Sequence, residues 1–198
     1  MADPLSRTTR SGNWILTYSG RQFWPLDPRM EDVYIQDIAH ALSMLCRFTG
    51  HVRTFYSVAQ HCVEGSRRIE EPLKLAFLMH EVSEAYLPDI AAPIKGYVHV
   101  STAAGSFDCW EVLEKEQARI VLGALGLTDT LPLIYNAQVK DVDLRMLATE
   151  ARDLMSPPPE SWGIGVEPFP KTVVPWLWQY AEEAFLEAYT ELKRAVLE

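Results

Sequence analysis

The sequence predicts an all-α helical bundle with a small N-terminal β-hairpin. Apolar residues recur every three or four positions through most of the chain, which is the spacing of a buried helix face. Near the N-terminus, a Ser-Gly turn signal instead separates two short runs rich in aromatic and β-branched residues. With 198 residues, of which 48% are hydrophobic and 23% charged, the chain is long enough for one ordinary core. We therefore expect a single domain over residues 1–198.

The hairpin and the first helix begin the chain. Residues 14–18 and 21–24 flank Ser19-Gly20, which is typical of a two-residue hairpin turn. The helical period then begins at residue 35, and Gly50 is suited to end the helix because glycine readily adopts positive φ. The apolar face predicted for this helix consists of Ile35, Ile38, Leu42 and Leu45.

Five more helices are predicted. They cover residues 53–69, Pro72 into His80-Glu81, 107–124, Pro132 to Leu154, and Pro175 onward. Pro72 fits the first turn of its helix, because the first helical N–H has no partner to lose. Pro88 and Pro93 interrupt the chain after the third helix, and residues 156–175 are rich in proline and glycine. So long a connection is typical of a functional flap or a mobile arm.

Composition argues against several classes of protein. The net charge of −9 is unfavourable for binding nucleic-acid backbones, which requires a surplus of Lys and Arg on one face. No stretch approaches the ~20 apolar residues of a membrane span, and the N-terminus lacks the apolar core of a signal peptide. The three cysteines (Cys46, Cys62 and Cys109) form no CxxC pair, which indicates buried thiols in a reducing compartment. We therefore expect a cytoplasmic protein with neither a membrane nor a nucleic-acid partner.

The pair His80-Glu81, with Glu84 and Asp89 shortly after it, is the most informative pattern in the chain. On a helix, His80 and Glu84 project from one face, while Glu81 points about 100° away. A metal ion needs about four donors that converge from different segments. His61, the His80-Glu81 pair and Asp143 could supply these donors from three helices. Glu84 and Asp89 would then remain available to handle protons.

Less specific interpretations compete with a metal site. A lone histidine on a helix is more often packed or hydrogen-bonded than a ligand, and His61 and His80 depart from that rule only through their neighbours. A zinc metalloprotease of the HExxH type is excluded because position 84 is Glu rather than His. Glu84 follows an apolar run, so we expect a partly buried carboxyl with a raised pKa, suited to a general acid. The alternative is an ordinary residue on a helix surface.

Four further residues are candidates for substrate binding. If the metal binds a phosphorylated substrate, Arg47 and Lys95 become phosphate ligands, Arg as a planar fork and Lys as a point charge. Without such a substrate, both are surface cations. Phe48 and Pro93 are candidates for the walls around a base, and a core position for Phe48 is an equal alternative.

Five segments, in chain order, resemble the HD-domain phosphohydrolases. They are CRFTGH (46–51), FYSVAQH (55–61), HEVSEAYLPD (80–89), PIK (93–95) and VKDVD (139–143), the last followed by ATE (148–150). Within that family, the sequence looks most like the branch that holds phage dATP triphosphohydrolases and bacterial 5′-deoxynucleotidases. An ordered match over residues 21–155 is far more specific than any one motif.

The resemblance implies an HD-domain helical bundle and gives roles to single residues. The implied metal ligands are His61, His80, Glu81 and Asp143. The implied catalytic carboxylates are Glu84 and Asp89, and the implied phosphate contacts are Arg47 and Lys95. The resemblance also favours Asp143 over the neighbouring Asp141 as a ligand. One departure is Glu81, because the family has aspartate at this position and glutamate is one methylene longer.

Together, the residues and the resemblance predict a metal-dependent phosphohydrolase of deoxynucleotides. Two imidazoles and two carboxylates favour Co²⁺, Mn²⁺, Fe²⁺ or Zn²⁺ over Mg²⁺, which prefers oxygen ligands. Residues 48–51 and 93–95 look more like those of the phage dATP enzymes, so we expect dATP or another purine dNTP to yield a deoxynucleoside and triphosphate. A 5′-deoxynucleotidase for dNMPs and a non-catalytic nucleotide-binding relative are the alternatives. We also expect a homo-oligomer, because the family tends to oligomerise and the last helix is apolar.

Overall fold

The computed structural model describes residues 10, 12–102, 105–107 and 110–197, and these form a mostly helical fold with a short N-terminal β-hairpin, as predicted. The helices are α1 (Ile35–Met44), α2 (Val58–Ser66), α3 (Lys74–Leu78), α4 (Ala92–Lys95), α5 (Trp110–Ala124), α6 (Leu131–Ile134), α7 (Ala137–Leu154) and α8 (Trp178–Leu197). The strands are β1 (Ile15–Leu16), β2 (Gln22–Phe23), β3 (Val100–Thr102) and β4 (Gly105–Phe107). Short 3₁₀ helices lie at Met30–Asp32, Phe48–Gly50, Val82–Ala85 and Thr128–Thr130.

Helix α8 packs against α1, α2 and α3. Within this helix, Ala181 and Phe185 are fully buried, whereas Trp178 and Leu192 are only half-buried. Helix α7 packs against α2, and α5 packs against the Val82–Ala85 3₁₀ helix. Helix α2 also packs against α3, so α2 contacts both α3 and α7. No helix in the described part of the chain is both long and apolar enough to cross a membrane.

The N-terminal hairpin has a longer turn than predicted. Ile15 pairs with Phe23, and the Thr17 N–H donates to the Arg21 carbonyl at 2.9 Å, so three residues rather than two form the loop. Gly20 in this loop has a φ of +79°, which glycine adopts without steric cost. Phe23 is fully buried and stacks on Tyr86 at 3.8 Å between ring centroids, which anchors the hairpin to the core.

A second antiparallel pair, β3 with β4, was not predicted. It precedes α5, which begins at Trp110 rather than near residue 107. Val98, Val100 and Thr102 alternate with other residues at the period of two that is typical of a strand, and this signal could have indicated the pair.

The predicted first helix is too long. Helix α1 ends at Met44, and residues after it become extended: the Arg47 N–H donates to the Tyr56 carbonyl, and Cys46 pairs with Ser57. Gly50 has the expected positive φ but ends a 3₁₀ helix instead. Because of this pairing, α2 begins at Val58 and not at residue 53 as predicted. Ser57 is extended and caps the helix, since its side chain accepts a hydrogen bond from the Gln60 N–H.

The predicted third helix breaks within the metal motif. Helix α3 ends at Leu78, Met79 to Glu81 form a turn, and a 3₁₀ helix follows. The expectation that His80 and Glu84 project from one face of an α-helix is therefore wrong. The single helix predicted from Pro132 to Leu154 also divides, because Asn136 starts α7 by accepting from the Gln138 N–H at 2.8 Å.

Two of the three cysteines are described. Cys62 is fully buried and Cys46 is half-buried, and both are free thiols. The prediction of buried thiols is therefore confirmed for Cys62, whereas Cys46 is only partly buried. Cys109 lies outside the described residues.

Gly65→Ala is expected to destabilise the fold by about 1–3 kcal/mol, the usual cost of overpacking a core. A Cβ at Gly65 on α2 would overlap the ring of Phe77, which is fully buried on α3. Thermal unfolding measures the effect. Gly96→Ala is the control, because no atom lies within 4 Å of a Cβ added there. Equal melting temperatures for the two variants would contradict this packing.

Candidate metal centre

Four side chains from three segments converge on one point. They are His61 from α2, His80 and Glu81 from the turn after α3, and Asp143 from α7. One donor atom from each lies within 4.8 Å of all the others, and His61 is fully buried. This cluster could hold a metal ion, and it consists of the four predicted ligands.

The donor atoms face one another across short distances. The Nε2 atoms of His61 and His80 are 3.4 Å apart, and Asp143 Oδ1 lies 3.4 Å from His61 Nε2 and 3.9 Å from His80 Nε2. Glu81 Oε1 lies 3.4 Å from His80 Nε2. Two nitrogens and two carboxylate oxygens at such distances form a donor set suited to a transition metal.

The helix break explains how Glu81 reaches the cluster. On a continuous helix, adjacent side chains diverge by about 100°. Because Met79 to Glu81 form a turn instead, His80 and Glu81 turn toward the same point.

The far side of each imidazole has a hydrogen-bond partner. His80 Nδ1 lies 2.6 Å from the Phe77 carbonyl oxygen, which can only accept, so Nδ1 donates and Nε2 faces the cluster. His61 Nδ1 lies 2.7 Å from Glu150 Oε1. Partners of this kind fix the orientation of metal-binding histidines.

Electrostatics within the cluster favour a cation. Burial alone would lower the pKa of His80, but the carboxylates of Glu81 and Asp143 outweigh it and raise that pKa well above its usual value. Burial would raise the pKa of Glu81, yet His80 holds it at about 2. Asp143 behaves alike: burial opposes ionisation, and His61 and His80 keep its pKa well below the usual range. Both carboxylates are therefore ionised.

Glu150 is a residue whose contribution the sequence analysis missed. It is fully buried on α7 and accepts from Arg47 Nε at 2.9 Å and from the Tyr56 hydroxyl at 2.9 Å, besides contacting His61. The signal was its spacing, because Glu150 follows Asp143 by seven residues and so lies on the same helix face.

The two predicted catalytic carboxylates differ in environment. Glu84 is buried in the Val82–Ala85 3₁₀ helix, and burial, with the charges of Glu81 and Asp89, raises the pKa of Glu84 well above its usual value. The expectation of a buried carboxyl with a raised pKa is thus confirmed. Asp89 is exposed.

A cavity of about 510 Å³ adjoins the cluster and is lined by three of its ligands, His80, Glu81 and Asp143. The predicted phosphate ligand Lys95 lines the same cavity, where its Nζ lies 2.8 Å from Glu114 Oε1. Several charged or polar residues of this cavity were not predicted: Glu111, Glu114, Lys115, Tyr135 and Lys140.

The other predicted substrate residues do not line this cavity. Arg47 Nη1 lies 4.0 Å from Glu81 Oε1, at the edge of the cluster. Phe48 lies beside Arg47, with its ring centroid 6.4 Å from that of Trp162. Neither Phe48 nor Pro93 lines the 510 Å³ cavity, so the structure does not bring them together as two walls of that cavity.

The segment of residues 156–175 covers a second cavity, of about 500 Å³, beside the end of α7. Arg53, Arg152 and Trp162 line it, and it contains none of the four metal-cluster residues. Two backbone N–H groups of the segment donate hydrogen bonds to side chains of α7. The Phe169 N–H donates to Thr149 Oγ1 and the Val173 N–H donates to Asp153 Oδ2, both at 2.8 Å. The C-terminal part of the segment is therefore attached to α7.

Comparison with known proteins gives relatives without a stated activity. The chain is 34% identical over 184 residues to the uncharacterized protein YfdR of Escherichia coli K12, a match that covers 91% of this chain and 96% of that protein. An uncharacterized protein of Rhodobacter capsulatus is 35% identical over 101 residues, covering 44% of this chain and 52% of the relative. No family model matches the sequence.

In metal-free protein, Glu84→Gln is expected to remove a pH-dependent loss of stability. The folded-state pKa of Glu84 is raised, so its stabilising contribution is complete below the ordinary value of 4.5 and is lost as pH rises through the folded-state pKa. An amide cannot ionise. The variant should therefore melt at a higher temperature than the wild type at pH 8, and at the same temperature near pH 4.

Thermal unfolding with a chelator present, at both pH values, measures this difference. Glu183→Gln is the control, because Glu183 is exposed on α8. A Glu84→Gln variant that melts below the wild type at pH 8 would contradict the assigned environment.

Proposed function

The chain belongs to the family of the Escherichia coli protein YfdR, and we propose that it is a metal-dependent phosphohydrolase of deoxynucleotides of the HD-domain type. One observation carries the proposal: two imidazoles and two carboxylates converge at the edge of a cavity that is also lined by lysines. The alternatives are a 5′-deoxynucleotidase for dNMPs and a non-catalytic nucleotide-binding relative.

The proposed ligands are His61, His80, Glu81 and Asp143. Their mixed nitrogen and oxygen donors suit Co²⁺, Mn²⁺, Fe²⁺ or Zn²⁺ better than Mg²⁺. When bound, such an ion supplies a Lewis acid that polarises a phosphoryl oxygen and activates water.

The chain provides its own cations for the phosphates. Arg47 is held through Nε by Glu150, while its Nη1 lies near Glu81, so the guanidinium is oriented at the cluster edge. Lys95, Lys115 and Lys140 line the cavity beside the ligands. We assign Arg47 to the phosphate that is attacked and the lysines to the phosphates beyond it.

Glu84 and Asp89, the two candidate carboxyl groups outside the ligand set, are assigned to proton transfer and to orientation of the reacting groups. Hydrolysis forms a bond from water to the α-phosphorus and breaks the bond to the 5′-oxygen, which must gain a proton. Glu84 is suited to donate that proton because burial and nearby charges favour its protonated form. Asp89, which is exposed and acts on Glu84 through its charge, is assigned to orient the water or the leaving group.

The proposed substrate is dATP or another purine dNTP, with Phe48, which lies beside Arg47, as a contact to the base. Three lysines in one cavity support a polyphosphate, which carries more charge than a monophosphate. The alternative is a 5′-deoxynucleotidase for dNMPs, and the pairing of Lys95 with Glu114 and of Lys140 with Asp143 favours it by reducing the positive charge.

The proposal also includes location and assembly. We place the protein in the cytoplasm, which agrees with the free thiols of Cys46 and Cys62. We propose a homo-oligomer without a nucleic-acid or membrane partner. The exposed side chains of Val174, Leu177 and Tyr180, around the start of α8, support a contact between copies.

Incubation of Mn²⁺- or Co²⁺-loaded protein with a panel of dNTPs and dNMPs tests the proposal. Chromatography should show deoxyadenosine and inorganic triphosphate from dATP. Asp143→Ala should reduce turnover to background, because it removes a ligand. Asp141→Ala is the matched control: it is exposed on the same helix, two residues away, and should keep wild-type turnover.

Two results would each overturn a part of this proposal. Free phosphate from dAMP, with dATP left intact, would establish the 5′-deoxynucleotidase instead. Nucleotide binding without any product would indicate the non-catalytic nucleotide-binding relative.

A further inference from the structure

We propose that Glu150 is a positioning residue: its single buried carboxylate determines which nitrogen of His61 faces the metal cluster and orients Arg47 beside it. The inference deepens the proposed function and rests on it for the presence of a metal. Glu150 itself belongs to no ligand set, and its carboxylate lies behind His61 as seen from the cluster.

The tautomer of His61 follows from its contact with Glu150. Both side chains are fully buried, and Glu150 Oε1 lies 2.7 Å from His61 Nδ1. An ionised carboxylate can only accept hydrogen bonds, so Nδ1 carries the proton. In a neutral imidazole, Nε2 then has the lone pair, and this atom faces His80 and Asp143 at 3.4 Å.

The opposite tautomer, with the proton on Nε2, would prevent His61 from acting as a metal ligand. A proton on Nε2 would point at the other donor atoms, and no lone pair would be directed toward a metal. The orientation of His61 therefore decides whether the cluster offers four donors or three. Glu150 is the partner of its Nδ1 atom, and so controls this choice.

Arg47 and Tyr56 supply the other hydrogen-bond donors to the Glu150 carboxylate. Arg47 Nε donates to Glu150 Oε2 at 2.9 Å, while the Tyr56 hydroxyl donates to Oε1 at 2.9 Å. Burial alone would raise the pKa of Glu150, but Arg47 and His61 hold it below the usual range. Burial and Glu150 raise the pKa of Tyr56 well above its ordinary value, so its hydroxyl remains a donor.

Both carboxylate oxygens of Glu150 thus accept hydrogen bonds. Neither glutamine nor aspartate at this position can accept all of these hydrogen bonds. Glutamine has one oxygen and one NH₂ group, so its NH₂ must face either His61 Nδ1 or Arg47 Nε, both of which donate. Aspartate keeps the charge but withdraws the carboxylate by about 1.5 Å. It cannot reach α2 and Arg47 at the same time.

The test is the affinity of metal-free protein for Co²⁺ alone, measured by isothermal titration calorimetry. Glu150→Gln and Glu150→Asp should each bind Co²⁺ about 10–100-fold more weakly than the wild type, as is usual when the partner of a metal-binding histidine is lost. The visible spectrum of bound Co²⁺ should also change in Glu150→Gln, because one nitrogen ligand is misoriented. Neither measurement depends on turnover.

Glu64→Gln is the matched control. Glu64 is another buried carboxylate, on α2 and paired with Arg68, and it is not a member of the cluster. The control removes the same charge from the same type of ion pair, so it should keep wild-type Co²⁺ affinity and spectrum. Glu150→Asp serves as the second variant if Glu150→Gln does not fold.

Three results would overturn the inference. A Glu150→Gln protein with the affinity and spectrum of the wild type would show that Glu150 does not orient His61. Equal losses in Glu150→Gln and Glu64→Gln would show a general effect of losing a buried charge. Wild-type protein that binds no Co²⁺ would remove the proposed function as well, whereas the first two results leave it intact.

Discussion

Two negative charges held together in a largely buried cluster are the constraint on which the site depends. Glu81 and Asp143 are both ionised, and their donor atoms lie within 4.8 Å of each other. At an effective dielectric constant of ~20, two such charges repel by roughly 3 kcal/mol. A positive charge close to both carboxylates offsets this repulsion. In the metal-free protein, the imidazolium of His80 can provide this positive charge. In the metal-bound protein, a divalent cation would provide it, and the imidazoles of His61 and His80 would then be nitrogen ligands.

The fold brings these charged side chains together through the break after α3 and through helix α7. The break after α3 lets His80 and Glu81 approach one point, and α7 supplies both Asp143 and the carboxylate of Glu150. Phe77 has two functions, because its carbonyl orients His80 and its ring fills the space beside Gly65. Packing and ligand geometry are therefore coupled at the contact between α2 and α3.

The sequence predicted the four candidate ligands, but not how the backbone brings them together. His61, His80, Glu81 and Asp143 were identified from residue type, order and a family resemblance. The apolar run before His80 has a helical period, and that period predicted one long helix. Tertiary packing overrides this local preference, so the break could not be found from spacing alone.

Residues that act through contacts were the hardest to predict. Glu150 matters because it meets Arg47, Tyr56 and His61, which are 103, 94 and 89 residues away in sequence. The cavity lysines similarly come from α5 and α7, and only the packed structure places them beside Lys95. Such juxtapositions carry no local pattern. By contrast, the buried environment of Glu84 was predictable because the apolar residues around it are adjacent in sequence.

His61, His80, Glu81 and Asp143 are proposed to form one metal site. Crystals of the protein soaked in Mn²⁺, with diffraction data collected at a wavelength where manganese scatters anomalously, test it most directly. We expect one strong anomalous peak in contact with His61 Nε2, His80 Nε2 and the carboxylates of Glu81 and Asp143. Manganese bound only at other sites, with no peak among these four side chains, would contradict it.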